Sequence, residues 1–191
     1  LGVPGEDLPH VAHYYTEGHR YAGHEVLVVG AGSSAAETAL DLYREGAQVS
    51  VAMRGQGFQT KYWLEPDIEN RIREGSIGCH RGVDVVAIRP DEVELERHTG
   101  GRIVAPAEFV LAMTGFVPDT SLLAAAGAAI DPESGKPVLT EALETTVPGM
   151  YVAGTLCAGK DANVVFVENG REHGPKIIAD VLTKRKDGAA S

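Results

Sequence analysis

One stretch of this sequence, residues 26–55, constrains the fold more strongly than any other. It reads VLVVGAGSSAAETALDLYREGAQVSVAMRG: an apolar run, a glycine-rich turn, a helical pattern and a second apolar run. The pattern predicts a strand over residues 26–29, a helix over about 34–45 and a strand over 49–53. Two apolar strands joined by a helix form a parallel βαβ unit, and we therefore expect an α/β fold.

The turn of this unit fits the pattern G-x-G-x-x-A, with Gly30, Gly32 and Ala35 at the fixed positions. Gly30 permits a tight turn, Gly32 lets the backbone approach a pyrophosphate, and Ala35 lets the helix pack close to the strand. Phosphates bind at the free N–H groups of such a helix start, where the hydroxyls of Ser33 and Ser34 can add contacts. We interpret the turn as a dinucleotide site, with a purely structural turn as the alternative.

The residue after the second strand indicates which dinucleotide binds. Sites that prefer NAD usually carry Asp or Glu there, but this chain has Arg54 and no acid before Glu65. A guanidinium pairs with a 2′-phosphate, which a carboxylate would repel. We predict NADP(H), held by Arg54 with Lys61 as a helper; a solvated surface arginine is the alternative.

The residues after this unit predict a helix and a meander. After a loop over residues 55–63, the string PDIENRIREG predicts a helix that Pro66 opens and Gly75 ends. Residues 83–115 contain VDVVAIRP, DEVELERH, a TGG turn, RIV and EFVLAMTG, for which we predict an antiparallel meander. The alternation in EVELER is typical of a strand with one face in water.

The pattern changes after Gly115. Residues 116–135 are rich in turn residues, GMYVAGT predicts a buried strand, and VFVENGREHGPKIIADVLTKR predicts a closing amphipathic helix. We divide the chain into a crossover segment (1–23), a Rossmann-like NADP(H)-binding domain (24–115) and a further portion (116–191).

Composition argues against several kinds of partner. The 191 residues carry a formal charge of −10, which disfavours nucleic acid. No apolar run approaches the roughly 20 residues that span a membrane, and the first residues do not have the pattern of a signal peptide. Cys79 and Cys157 lie far apart and outside any Cys-x-x-Cys motif, so we expect no disulfide framework and a cytoplasmic location.

Several strings beyond the glycine turn are those of a known family. Together with the turn, KYWLEPDIENRIREGSI, LAMTGFVPD, TTVPGMYVAGT and VENGREHG resemble the thioredoxin-reductase-type flavoproteins, and within them the bacillithiol-disulfide-reductase-like branch. The resemblance implies an FAD enzyme with two Rossmann-like domains, in which NADPH reduces the flavin and the flavin reduces a disulfide. It also implies that residues 116–191 are the C-terminal part of the FAD-binding domain and that the complete enzyme is a homodimer.

The sequence departs from this family in several places. Thioredoxin reductases carry a redox Cys-x-x-Cys before the fingerprint strand, where this chain has His13 and Thr16, so we do not expect a thioredoxin reductase in the strict sense. A second glycine fingerprint for FAD is missing from the sequence, and we expect a fragment of a longer flavoprotein. A naturally short NADP(H)-binding module is the alternative.

Site residues in the C-terminal part come only from the resemblance. The family string YVAGD presents an Asp to the flavin ribityl chain, whereas this chain reads YVAGT. The residues carried over to the ribityl chain and the flavin ring are Gly154, Thr155, Asn163 and Val164. A buried strand end and a helix cap would use the same residues, which is the alternative interpretation.

Two further residues of the nucleotide site follow from the resemblance or from geometry. Glu37 matches an acid that the superfamily often keeps near the nicotinamide, although the helix dipole also favours a glutamate in a first turn. Gly115 would let the backbone approach the nucleotide, with a role in the turn alone as the alternative. We predict no catalytic residue and no metal site in this chain.

These observations predict an NADPH-dependent flavoprotein that reduces a disulfide, with the substrate, a low-molecular-weight thiol disulfide, taken only from the resemblance. One alternative is a ferredoxin–NADP reductase of the same superfamily, against which the acidic composition argues mildly. The other is a non-catalytic NADP(H)-binding module.

Overall fold

The computed structural model describes residues 1–189, except for the side chains of Asn163 and of residues 187–189. Backbone contacts divide the chain into two compact units, Leu1–Gly115 and the residues from Phe116 onward. No helix within the described range is long and apolar enough to cross a membrane.

The first unit is built on a five-stranded sheet. The strands are Val11–Ala12 (β1), Glu25–Val29 (β2), Gln48–Met53 (β3), Gly78–Arg81 (β4) and Phe109–Ala112 (β8). They lie in the order β1-β8-β2-β3-β4, and all neighbours run parallel. Helix α1 (Ser33–Arg44) connects β2 to β3, and helix α2 (Glu65–Arg73) connects β3 to β4. The predicted βαβ unit is thereby confirmed.

A separate antiparallel sheet lies between β4 and β8 in the chain. Its strands are Val83–Ile88 (β5), Glu92–Arg97 (β6) and Arg102–Pro106 (β7), paired in that order. Val93 and Leu95 of β6 are fully buried, whereas the glutamates beside them are not. The predicted α/β fold, a parallel sheet with an antiparallel meander, is confirmed.

The parallel sheet is buried on both faces. Alternate residues of a strand point to opposite faces. Val26 and Val28 of β2 belong to an apolar cluster with α1, while Leu27 and Val29 belong to a second cluster with the antiparallel sheet. Because both faces of the sheet are packed, the ends of the strands are held in place, and so are the turns that follow them.

The string EFVLAMTG does not continue the antiparallel meander, contrary to the prediction. Strand β8 enters the parallel sheet between β1 and β2. Its residues Val110, Leu111 and Ala112 are buried in succession, which is typical of a central parallel strand and not of a half-exposed one. The first residues of the chain also contribute β1, a strand that their composition does not predict.

The second unit contains short helices around a small core. It includes helix α3 (Ser121–Ala125), a 3₁₀ segment (Gly154–Val164), helix α4 (Val167–Gly170) and helix α5 (His173–Ala189). Leu123, Ala128 and Val152 form the buried cluster. The buried strand predicted for GMYVAGT is wrong, because a strand needs a partner ladder. In the described residues of this unit, Tyr151 makes only an isolated bridge with Glu144.

The closing helix is interrupted, whereas the sequence pattern predicts a continuous one. Helix α4 ends at Gly170 and α5 begins at His173. The side chain of Asn169 accepts a hydrogen bond from the Phe166 N–H (2.8 Å) and donates one to the Val164 carbonyl (2.8 Å). These bonds cap the first turn of α4, whereas the poor helix formers Asn169 and Gly170 lie where that helix ends.

Candidate functional site

The predicted nucleotide residues lie at the carboxyl edge of the parallel sheet. From β2 the chain proceeds through β3 to β4 on one side, whereas β8 and β1 lie on the other side. The sheet order therefore reverses between β2 and β8, and open parallel sheets bind ligands outside the carboxyl ends of the strands at such a point. Gly30 follows β2 here, and Met113 follows β8.

Gly30 meets a packing requirement of the protein itself. Its φ is +140°, and a Cβ on it would overlap the Met113 carbonyl oxygen and lie 3.3 Å from the Cβ of Ala35. Ala35 is fully buried, and the Gly30 N–H donates to the Ala52 carbonyl at 2.9 Å. Glycine is thus needed where β2, β8 and α1 converge.

Gly32 has a different environment. It precedes α1 with φ −80° and ψ 178°, which any residue can adopt. No described protein atom lies within 4 Å of the position that its Cβ would occupy, and no side chain in the described chain caps the helix. The protein leaves space in front of the N–H groups of α1, as a bound phosphate would require.

The loop after β3 folds back over this turn. The Gln59 N–H donates to the Ala31 carbonyl at 2.7 Å, and Gln59 forms a short parallel bridge with Gly32. The Thr60 hydroxyl donates to Ser33 Oγ at 3.1 Å. Ser33 is therefore engaged with the loop, whereas Ser34 is exposed.

The charged residues predicted for the site fall into two groups. Arg54 follows β3 directly and is exposed, and among the described residues no hydrogen bond or ion pair engages it. Lys61 lies 3.6 Å from Glu37 (Nζ to Oε1), with both side chains about half exposed, and its Nζ lies 5.4 Å from the Trp63 ring centroid. Lys61 and Glu37 therefore lie together, a contact that the sequence did not predict.

Arg81, at the end of β4, is a residue of this edge that sequence reasoning missed. Its Nη2 donates to both carboxylate oxygens of Glu69 in α2, at 2.9 and 2.7 Å. Its Nη1 donates to the Gln56 carbonyl in the loop after β3. The string GCHRG carries no motif or periodicity that could have indicated these contacts.

Gly115 ends the first unit three residues after β8. Its φ is +90°, and no described atom lies within 4 Å of its Cβ position. The conformation favours glycine because other residues rarely adopt it. Its contact with the nucleotide stays a prediction.

The residues assigned to the flavin lie on the 3₁₀ segment of the second unit. Gly154 has a φ of +74°, and its N–H donates to Nδ1 of His173 at 3.0 Å, a contact that was missed because it joins residues far apart in sequence. Thr155 is partly buried, and Val164 is 56% exposed. The side chain of Asn163 lies outside the described part of the chain.

Both cysteines are partly buried, and the Cys157 Sγ lies 3.9 Å from Nδ1 of His173. Burial raises the pKa of the Cys157 thiol and also that of Cys79, and Cys157 donates to the Val152 carbonyl at 3.3 Å. Because the thiolate is the reactive form, raised pKa values lower reactivity near neutral pH.

We therefore expect iodoacetamide at pH 7 to alkylate both cysteines more slowly in the folded chain than in the urea-unfolded chain. Peptide mapping by mass spectrometry would give the two rates for each thiol. Equal rates for Cys157 in the two states would contradict the protection that burial provides.

Comparison with known proteins agrees with this geometry. A model of the family described as Pyridine nucleotide-disulphide oxidoreductase matches residues 1–154. Bacilliredoxin reductase Bdr of Bacillus subtilis strain 168 is 41% identical over 187 residues, which cover 96% of this chain and 58% of that protein. A ferredoxin–NADP reductase of Ignicoccus hospitalis is 30% identical over 176 residues, covering 89% of this chain and 56% of the relative.

A solved structure gives the same assignment. That of bacillithiol disulfide reductase Bdr from Bacillus cereus superposes with a TM-score of 0.91 at 38% identity, covering 96% of this chain and 57% of that one. The chain thus spans less than two thirds of the length of these relatives. The predicted resemblance is confirmed, and the chain belongs to the pyridine nucleotide-disulphide oxidoreductase family.

Proposed function

We propose that this chain is the NADP(H)-binding part of an NADPH-dependent flavoprotein that reduces a low-molecular-weight thiol disulfide. The observation that carries the proposal is the carboxyl edge of the parallel sheet. There, open space at Gly32 faces the start of α1, and Arg54 stands where an NAD site has an acid. A pyrophosphate and a 2′-phosphate fit this combination.

Each residue of the edge has a distinct role in this proposal. The N–H groups of the first turn of α1 and the Ser34 hydroxyl bind the pyrophosphate, while Arg54 binds the 2′-phosphate. Lys61 helps Arg54 at the 2′-phosphate, and Glu37, 3.6 Å from Lys61 between half-exposed side chains, lies towards the nicotinamide half.

The second unit would contribute to the flavin. Gly154 offers open space at its Cβ position, and Val164 on the same segment is half exposed, so the residues present fit a planar apolar ring. Thr155 would donate or accept a hydrogen bond where the family has a carboxylate. The hydride chemistry belongs to nicotinamide and flavin when they are bound, and the chain contributes their positions.

The electron acceptor is proposed from the relatives. The names of two relatives, bacilliredoxin reductase and bacillithiol disulfide reductase, favour a disulfide as the substrate class. The name of a third, ferredoxin–NADP reductase, favours an iron–sulfur protein as the second candidate. A homodimer in the cytoplasm completes the proposal.

The proposal is tested by titrating the purified chain with NADPH and recording its visible spectrum after addition of FAD. We expect saturable NADPH binding, and a bound flavin that NADPH bleaches would mean that residues 116–191 hold FAD unaided. Reoxidation by bacillithiol disulfide would support the disulfide reductase, and reoxidation by ferredoxin alone would favour the second candidate. NADPH binding without any flavin would agree with a chain that supplies only the NADP(H)-binding part, or with a non-catalytic module, and turnover of the complete enzyme distinguishes these two; no NADPH binding would reject the proposal.

A further inference from the structure

The loop that carries Arg54 is fastened to the sheet edge on both sides. At its far end, the Gln59 N–H donates to the Ala31 carbonyl at 2.7 Å. At its near end, the Gly82 N–H donates to the Gly55 carbonyl at 3.1 Å. Arg54 is thus followed directly by a residue, Gly55, whose backbone is bonded to the residue after β4.

Arg81 provides the second anchor at the near end. One nitrogen of its guanidinium donates to Gln56 O, and the other donates to both carboxylate oxygens of Glu69. The side chains of Arg81 and Glu69 are 30% and 28% exposed. Charge-assisted hydrogen bonds from its two terminal nitrogens to two different partners hold the Arg81 guanidinium in a defined orientation, so α2 orients Arg81 and Arg81 orients the loop.

Gly82 lies in close contact with the loop after β3. Its φ is +62°, and a Cβ on it would approach the Gln56 side chain (Nε2) to 2.7 Å. The end of β4 and the loop therefore pack with little space between them. A binding group held in place beforehand loses less entropy when its ligand arrives.

We infer that Arg81 is a positioning residue that sets the selectivity for NADP(H) over NAD(H), by holding the loop from which Arg54 projects. The inference rests on the proposed function. Arg81 acts through Arg54 and not on the ligand, because both of its terminal nitrogens already donate to Glu69 and Gln56. Its removal therefore lowers the affinity for the nucleotide that carries a 2′-phosphate.

The test is a set of equilibrium titrations of the 191-residue chain with NADPH and with NADH. Arg81→Ala should weaken NADPH binding by about tenfold, the scale expected when a binding group must be ordered during binding, and change NADH binding by less than about twofold. In an Arg54→Ala background the same substitution should change neither affinity by more than about twofold, because residues that act through one contact are not additive.

Two further variants keep the test interpretable. Arg44→Ala is the matched control, since Arg44 also pairs with a carboxylate of α2, Asp67 at 2.8 Å, and none of its ion pairs or hydrogen bonds within the described residues reaches the loop; it should leave both affinities unchanged. Glu69→Gln releases Arg81 without removing it and should give a smaller loss of the same selectivity. Glu69→Gln serves as the second test if the Arg81→Ala variant melts at a lower temperature than the parent chain.

The outcomes separate the inference from the proposed function. Equal losses of affinity for NADPH and NADH in Arg81→Ala would mean that Arg81 only supports the fold. If the double variant lost NADPH affinity by the product of the two single-variant losses, Arg81 would contact the phosphate itself. Either result would overturn the inference and leave the proposed function standing. An Arg54→Ala variant with unchanged preference would overturn the NADP(H) assignment and the inference with it.

Discussion

Replacement of Gly32 by valine is expected to abolish binding of both NADPH and NADH while leaving the fold intact. The backbone of Gly32 is in a conformation open to any residue, and its Cβ position lies in empty space. A valine side chain would occupy the volume in front of α1. Loss of two charge-assisted hydrogen bonds to a pyrophosphate, about 1.5–3 kcal/mol each, lowers affinity by more than about 100-fold.

Gly30→Val is the contrasting variant. Its Cβ would overlap the Met113 carbonyl oxygen, and its φ of +140° disfavours a branched side chain. We therefore expect the Gly30 variant to lose its cooperative thermal transition, and the Gly32 variant to melt like the parent chain. Binding is measured by calorimetric titration. If the folded Gly32→Val chain bound NADPH as tightly as the parent chain, the assignment of the glycine turn to the nucleotide site would be wrong.

The second large effect is expected for Arg54→Glu, which should weaken NADPH binding by about 100-fold and NADH binding by less than about threefold. The substitution removes a charge-assisted contact, worth about 1.5–3 kcal/mol, and adds repulsion between a carboxylate and the 2′-phosphate. NADH has no phosphate at that position. The measurement is the ratio of the dissociation constant for NADPH to that for NADH, in the variant and in the parent chain. Raising the salt concentration should bring the two ratios closer together, because salt screens the charges.

Arg73→Glu makes the same change of charge at an exposed position of α2. Arg73 donates to Asn70 at 2.9 Å, and none of its hydrogen bonds in the described part of the chain reaches the loop after β3, so this variant should leave the ratio unchanged. Equal effects of Arg54→Glu on the two nucleotides would contradict the assignment of Arg54 to the 2′-phosphate.

Local sequence signals predicted the βαβ unit because its order is set by neighbours in the chain. The apolar strand β2, the glycine turn and the amphipathic helix α1 each depend on residues a few positions apart, and periodicity reports such relations directly. The alternation of Val93 and Leu95 with glutamates likewise indicated β6. The glycine turn and α1 carry six of the thirteen predicted site residues.

Pairing over long distances is where the prediction failed. Phe109–Ala112 is apolar enough for either sheet, and only its place between β1 and β2 decides that it is parallel. The bond from Gly154 to His173 and the contact of Arg81 with Gln56 join side chains to backbone across 19 and 25 positions. Periodicity carries no information on contacts of this kind, so the anchors of the site came only from the structure.

The central position of β8 has a consequence for how the protein is made. Val11 pairs with Val110, so β1 cannot form its hydrogen bonds with β8 until nearly the whole first unit has been synthesised. Until β8 leaves the ribosome, β2 has an unpaired apolar edge, which is open to association with other chains. Non-local pairing of this kind slows folding, and it makes the segment from β2 to β7 the interval in which a nascent chain most needs protection.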